Sequence, residues 1–269
     1  DEDISRYKAL QIDDVRQLHT DFLGGEHDEV AVVGDFDAES VLAKLNEMFV
    51  GWTADQPYAK IEQVAYLDSK AKRVTIETPD KANAFFITAR TCEIGDDHPD
   101  YEAALIGDYI MGGGPLSSRI ADRVRKKEGL SYTAITRFSG SSDNDRGSFF
   151  ILCISKPTNT QAVINTVAEE VDLMLSTGVT EEELTAAKTS YLQNRKGKRA
   201  KDSVIASTLI SNLRNGRTME FQQASDDKIE SLTKSEVDSA LKNVMDPTKM
   251  VTITAGDFSA EKTEPSAGK

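Results

Sequence analysis

The chain has 269 residues, 39% of them hydrophobic and 29% charged, enough for one large domain or two small ones with a core that needs no disulfide or metal. A formal net charge of −13 argues against a nucleic-acid binder, because neutralising phosphates calls for clustered Lys and Arg. No apolar run approaches the roughly 18 residues of a membrane span, and the acidic start DEDISRYK has no signal-peptide pattern; the chain reads as soluble, with the compartment open and a periplasmic or other extracytoplasmic site reachable from a longer, signal-bearing precursor.

In chain order, Val15, Leu18, Phe22 and Leu23 fall at helical spacing and predict a helix over Asp13 to Leu23, stopped by Gly24 and Gly25. The run Val30 to Val33 predicts a strand. Asp37 then caps a helix whose Val41, Leu42, Leu45, Met48 and Phe49 form one apolar stripe. That stripe is too large for residues 1 to 36 to bury, so the sheet of a downstream domain is its expected partner. Trp52 to Lys72 is polar and reads as a linker.

Val74 to Glu77 and Ala84 to Thr91 predict two strands across the turn residues Pro79 and Asp80. Pro99 and Asp100 start a helix that runs to about Met111. Ser131 to Phe138 and Ser148 to Ser155 predict an antiparallel hairpin, because the connection SGSSDNDRG is dense in turn formers. Val163, Val167, Val171 and Met174 mark a helix closed by Gly178, and the pairs Thr180/Glu183 and Thr233/Glu236 read as capping boxes. Ser203 to Leu213 and Met219 to Leu232 read as shorter helices, Met250 to Thr254 as a final strand, and residues 259–269 as a disordered tail.

The stretch that organises the chain is MGGGPLSSRIADRVRKKEGLSYTAITRFSG, from Met111 to Gly140. Three glycines read as a turn whose backbone angles side chains forbid. A short charged helix follows, breaks at Gly129, and gives way to a strand opening on Tyr132. A phosphate cradle is a poor reading of Gly112, Gly113 and Gly114, since no Lys-Ser or Lys-Thr follows them.

Glycine triplet, Ser-Arg, then Arg125, Gly129, Leu130 and Tyr132 at R-x-x-x-G-L-x-Y spacing, followed by the acidic helix start T-E-E-E-L, resemble the C-terminal-half signature of the M16 zinc peptidases, the pitrilysin and insulinase-like family that includes the mitochondrial processing peptidases. The likeness runs from about Ile12 to Phe258. It implies an α+β fold, a mixed, mostly antiparallel sheet with helices packed on it. Residues 1–55 would be the tail of a preceding domain (helix, strand, crossover helix), 56–65 a linker and 66–258 the C-terminal-type domain. An internal echo suits this division: VAVVGDFDAES at 30–40 and VTITAGDFSAEK at 251–262 each leave a strand through Gly-Asp-Phe.

The family's zinc site uses H-x-x-E-H on a helix. This chain has only His19, His27 and His98. Leu23 to His27 lacks the first ligand and carries two helix breakers, so it reads as a loop; His19 reads as a partly buried packing residue and His98 as a surface one. The resemblance therefore implies a non-catalytic, substrate-binding part that completes a peptide chamber opposite a zinc-bearing half absent from this chain, with no metal of its own. In that role Arg125 and Tyr132 would hold a peptide or small unfolded protein and polarise the scissile carbonyl. The alternative is a catalytically inactive structural or binding protein of the same fold.

Two further features carry less. Cys92 and Cys153 read as small buried hydrophobes, with a disulfide between them undecided. The basic run Arg195 to Lys201 reads as the solvated end of a helix whose acidic first turn and basic last turn complement the helix dipole.

Overall fold

The structure is a computed structural model and describes residues 2–60, 69–114 and 117–259. It divides into two units, Asp1–Gln63 with Arg199–Met219 and Val64–Lys198 with Glu220–Lys269.

The larger unit is built on five strands, β1 (Lys72–Glu77), β2 (Ala84–Cys92), β3 (Ser131–Gly140), β4 (Gly147–Ser155) and β5 (Val251–Gly256), in the order β1-β5-β2-β4-β3. β1 runs parallel to β5, and the β5–β2, β2–β4 and β4–β3 pairs are antiparallel. The sheet is thus mixed and mostly antiparallel, with helices on it: the expected α+β class. β1 and β2 are neighbours in sequence but not in the sheet, because β5 inserts between them.

Three helices cover one face of this sheet, α4 (Tyr101–Asp108), α5 (Thr160–Thr177) and α9 (Lys234–Val244). The apolar stripe read from the sequence, Val163, Val167, Val171 and Met174, is the buried face of α5, and Val237, Leu241 and Val244 that of α9. Under them lie Phe86, Phe149, Ile151, Cys153, Ala134 and Phe138 from the strands. On the other sheet face the side chains of the described residues stay partly or largely exposed. Register places Val74, Ile253, Ile87, Leu152 and Ile135 in one row across all five strands, and beside it Ile76, Phe85 and Ile154 are 47%, 38% and 36% exposed. A one-sided antiparallel sheet ordinarily carries polar side chains on its open face; this one carries an apolar row across its centre, with Lys72 and Arg137 in the next row.

α6 (Glu181–Arg199) begins at the expected capping box, with Thr180 Oγ1 accepting from the Glu183 N–H at 3.1 Å and Glu183 accepting from the Thr180 N–H at 2.8 Å. α8 (Met219–Ser231) precedes the second box, at Thr233 and Glu236.

The smaller unit contains α1 (Glu2–Ala9), α2 (Ile12–Phe22), α3 (Ala38–Phe49) and α7 (Asp202–Arg214). α1 was not legible: EDISRYKA has no apolar stripe, and none of its residues is buried. Asp37 caps α3 as expected, accepting from the Ser40 N–H at 2.7 Å. Two expectations fail here. Val30 to Val33 forms no strand, and a β-branched run without a partner strand cannot pair its backbone groups. The α3 stripe is not buried either, with Leu42 and Met48 59% and 69% exposed. Of the expected linker, residues 61–65 lie outside the described residues, as does the tail beyond Ser259.

One ion pair ties the organising stretch to the helical layer. Arg119 donates from Nε to Glu183 Oε1 and from Nη2 to Glu183 Oε2, both at 2.7 Å, and from Nη2 to the Gly178 carbonyl at 2.9 Å. Arg119 is 14% exposed and Glu183 30%. Hydrogen bonding to Glu183 raises the guanidinium pKa; burial pushes the Glu183 carboxyl up, but the Arg119 and Thr180 donors outweigh it and hold it below the usual range. Arg119→Ala is expected to cost about 2–3 kcal/mol in denaturant unfolding, between the values for exposed and buried pairs, and Arg119→Lys, which keeps the charge and loses the fork, distinctly less.

Candidate functional site

The site grows from two departures from regular α-helix. α4 does not end at Asp108 but widens into a π-helical turn, Tyr109–Gly113, closed by the Gly114 N–H donating to the Tyr109 carbonyl at 3.0 Å. Such turns recur at functional sites. The glycines of this turn have a different reason from the expected one: none of the three has a positive φ. They are places of close approach instead. A Cβ on Gly112 would stand 2.6–2.8 Å from the Thr136 side chain and backbone nitrogen; on Gly113 it would meet the Asp108 carboxylate, and on Gly114 the Tyr109 carbonyl oxygen.

Asp108 explains that closeness. It is 7% exposed, and Thr136 Oγ1 donates to its Oδ1 at 2.6 Å while the Phe138 N–H also bonds it. The carboxylate thus clips the glycine turn onto β3, the edge strand, and covers part of the free edge. Burial raises its pKa from 3.8 to about 6, against the lowering effects of Thr136, Phe138 and Arg137. Sequence reading passed over Asp108; an acid inside the apolar run Ala103 to Met111 was the available signal.

The second departure is a π-helical segment, Ala121–Lys127, that carries Arg125. Glu128 bonds back to Arg123 at 3.0 Å, Gly129 takes a left-handed φ of +64°, and the Leu130 N–H reaches the Val124 carbonyl at 3.0 Å. This is a Schellman-type stop, and Gly129 is the residue that allows it. β3 begins at once, with an irregularity: Ser131 pairs with Ser155 and Thr133 with Ile154, leaving Tyr132 as the extra residue of a bulge. Ser131 Oγ lies 2.6 Å from the carbonyl oxygens of both Thr133 and Ile154 and holds the bulge from inside. A bulge re-aims a side chain, and Tyr132 is 81% exposed.

The structure therefore brings Arg125 and Tyr132 together. The Arg125 guanidinium carbon lies 4.5 Å from the Tyr132 ring centroid, over its face, a cation–π contact that orients both groups without consuming the phenol O–H. Of the four glycines named from the sequence, Gly112 admits β3, Gly113 and Gly114 let the turn close on Asp108 and Tyr109, and Gly129 ends the helix.

Beside the glycine turn, within the same unit, a cleft of about 610 Å³ is lined by Tyr101, Tyr109 and Asp108, by Ile135 to Phe138 of β3, and by Tyr191, Asn194, Arg195 and Lys198 of α6. Part of the basic run is therefore not a solvated helix end. Arg195 is 24% exposed and bonded to Asp226 at 3.1 Å and Ser225 Oγ at 3.0 Å.

The three histidines do not converge. His19 is exposed and lies 6.0 Å from the Trp52 ring, rather than partly buried as expected; His27 sits in a loop against Tyr58, and His98 Nδ1 accepts from the Asp100 N–H at 3.0 Å. Among the described residues no group of three or more His, Cys, Asp or Glu could hold a metal ion, so the side chains present do not fit a zinc site. Cys92 and Cys153 are free and buried. They face Gly147 and Phe86 in the β2–β4 register, six rungs apart, which at the usual rise is roughly 20 Å and far outside disulfide reach. Burial pushes the Cys153 thiol up to about 12 and raises that of Cys92, making both poor nucleophiles.

Residues 9–191 match the family described as Peptidase M16 inactive domain, more than half of the chain. The chain belongs to the M16 inactive-domain family. A curated relative, the non-peptidase homolog YmxG of Helicobacter pylori, is 22% identical over 240 residues, covering 87% of this chain and 53% of that protein. Among solved structures, an M16 inactive domain from Pseudomonas fluorescens is 24% identical with a TM-score of 0.68, covering 83% of this chain and 52% of that one. A protease from Helicobacter pylori is 14% identical with a TM-score of 0.72, covering 83% and 53%. Likeness at this identity speaks for the fold. The chain spans about half the length of each, and no helix among the described residues is long and apolar enough to cross a membrane.

Two outcomes follow for this M16 inactive domain. The purified chain is expected neither to bind Zn²⁺ stoichiometrically nor to cleave peptides, checked by metal analysis and a fluorogenic peptide assay; tight zinc with chelator-sensitive turnover would contradict the ligand geometry. The second concerns pH. Because the folded-state pKa of Asp108 is raised from 3.8 to about 6, its stabilising contribution is full below about pH 4 and lost as pH rises through 6, a change of about 3 kcal/mol for this one group. Asp108→Asn should lack that slope, so the difference between the two proteins' stability–pH curves should show it between about pH 4 and 6.

Proposed function

We propose that this chain is the substrate-binding, non-catalytic part of an M16-type zinc endopeptidase, working with an H-x-x-E-H-bearing half that supplies the zinc and the water-activating glutamate. The observation that carries this reading is the pair at the bulge. An 81% exposed tyrosine with a guanidinium over its ring has no part in the core, and β3 bends to present it. Two donors so placed suit peptide carbonyl oxygens. Arg125 holds substrate backbone in the ground state, and the Tyr132 phenol strengthens its bond as negative charge develops on the scissile carbonyl.

The apolar row on the other face of the sheet supports the same reading, since Val74, Ile253, Ile87, Leu152 and Ile135 suit a chamber wall facing an unfolded polypeptide. On this reading residues 1–55 are the tail of a preceding domain, 56–65 the linker and 66–258 the C-terminal-type domain. The unpaired Val30 to Val33 would find its partner strand in that preceding domain.

A second reading, an inactive structural or binding protein of the same fold, is favoured by the name of the Helicobacter relative, a non-peptidase homolog. Kinetics separate the two. In the protein reconstituted with its zinc-bearing half, Tyr132→Phe is expected to lower kcat with the fold unchanged, by roughly 2–4 kcal/mol of transition-state stabilisation. Arg125→Ala should raise KM as well. Peptide turnover that neither variant changes would leave the pair without a catalytic role, and absence of turnover in the reconstituted wild type would favour the scaffold.

A further inference from the structure

The cleft beside the glycine turn is basic in an acidic chain. In a chain of net charge −13, it gathers Arg137, Arg195 and Lys198. Arg195 is engaged by Asp226 and Ser225. Arg137 and Lys198 have no ion-pair partner among the described residues, and the one carboxylate in the wall, Asp108, is turned inward to Thr136 and the Phe138 N–H. Arg137 and Lys198 thus line one space, together with Asn194 and Tyr191.

The cleft is also in line with the pair at the bulge. The exposed side of β3 reads Tyr132, Ile135, Arg137, so Arg137 stands five residues beyond Tyr132, roughly 17 Å along an extended chain. A peptide held at Tyr132 and lying along β3 reaches the cleft after about five of its own residues. Peptides running the other way do not meet it.

We propose that this cleft is an anchoring subsite for an acidic side chain of the substrate, Glu or Asp, held by Arg137 and Lys198 about five residues from the residue bound at Arg125 and Tyr132. The idea rests on the substrate-binding reading above and names its substrate class: extended peptides with a carboxylate at that distance. Bonds between ionised partners are roughly twice as strong as neutral ones, and Arg137 offers the planar fork that matches a carboxylate. The glycine turn also lines the cleft.

The test uses the full chain and two synthetic peptides with a neutral fluorophore, identical except for glutamates or glutamines at both ends, followed by fluorescence anisotropy at low salt. The glutamate peptide is expected to bind the wild type about tenfold more tightly, as suits one charge-assisted contact, and the preference should vanish in R137Q/K198Q with the circular dichroism spectrum unchanged. Equal affinity of the two peptides for the wild type, no binding of either, or a preference that survives in the double variant would overturn the proposal. If the peptides bind equally while inorganic phosphate also binds, the cleft takes free anions and the proposal is likewise overturned. Arg125→Ala distinguishes this failure from that of the underlying reading. Charge-independent binding that Arg125→Ala weakens keeps the pair and removes the subsite; a glutamate preference that R137Q/K198Q abolishes and Arg125→Ala leaves at full affinity keeps the subsite and removes the pair.

Discussion

The bidentate pair between Arg119 and Glu183 is the constraint on which the arrangement depends. Glu183 already serves as the third residue of the α6 capping box, so one carboxylate fixes the start of α6 and the start of the helical segment bearing Arg125. Arg119 also takes the carbonyl of Gly178, which ends α5. The α5–α6 turn and the start of the Arg125-bearing segment thus meet at one guanidinium. Because the fork is planar and its partner half-buried, it sets a direction as well as a distance, and the helical segment leaves it aimed at β3. The Gly129 stop and the bulge at Tyr132 then turn that direction into a side-chain position.

A second clip works from the opposite side. The Asp108 carboxylate binds the β3 edge through Thr136 and Phe138, and Gly112 lets the turn come close enough to do so. Edge strands left open invite pairing with other chains. Here the middle of β3 is guarded by a buried acid, while the bulge at its start interrupts the ladder where Tyr132 projects. The cost is a carboxylate held in a low-dielectric place, visible as its raised pKa. The pair at the bulge rests on the separate Arg119 anchor.

What the sequence made legible was whatever obeys a local rule. The α5 stripe, both capping boxes, the Gly129 stop and the β3–β4 hairpin all rest on contacts within a few residues or on simple periodicity, and the structure has each of them. What it hid depended on partners distant in sequence. The place of β5 between β1 and β2 cannot be read from strand order along the chain. The glycine triplet looked like a matter of backbone angles, whereas the demand on Gly112 comes from Thr136, more than twenty positions away, and that on Gly113 and Gly114 from Asp108 and Tyr109. Arg119 was visible only as part of a pattern, and Asp108 only as an acid inside an apolar run. Val30 to Val33 shows the reverse error: its composition is strand-like, but a strand exists only where a neighbour accepts its hydrogen bonds.

The position of Arg125 and Tyr132 was nevertheless accessible, because it follows from chain geometry. A helix that stops in a left-handed residue and enters a strand within two positions must bring its last turn beside the first rungs of that strand. The bulge was not accessible, and it decides the outcome. Without the extra residue, Tyr132 would share the face of Ala134, Thr136 and Phe138, all buried under the helices. With it, strand alternation shifts by one place ahead of Thr133, and the ring that would have entered the core stands 81% exposed under a guanidinium. A scaffold gains nothing from that displacement, since burying a tyrosine is worth more to stability than a cation–π contact at an exposed site. On the proposed reading, the bulge serves what binds at Tyr132.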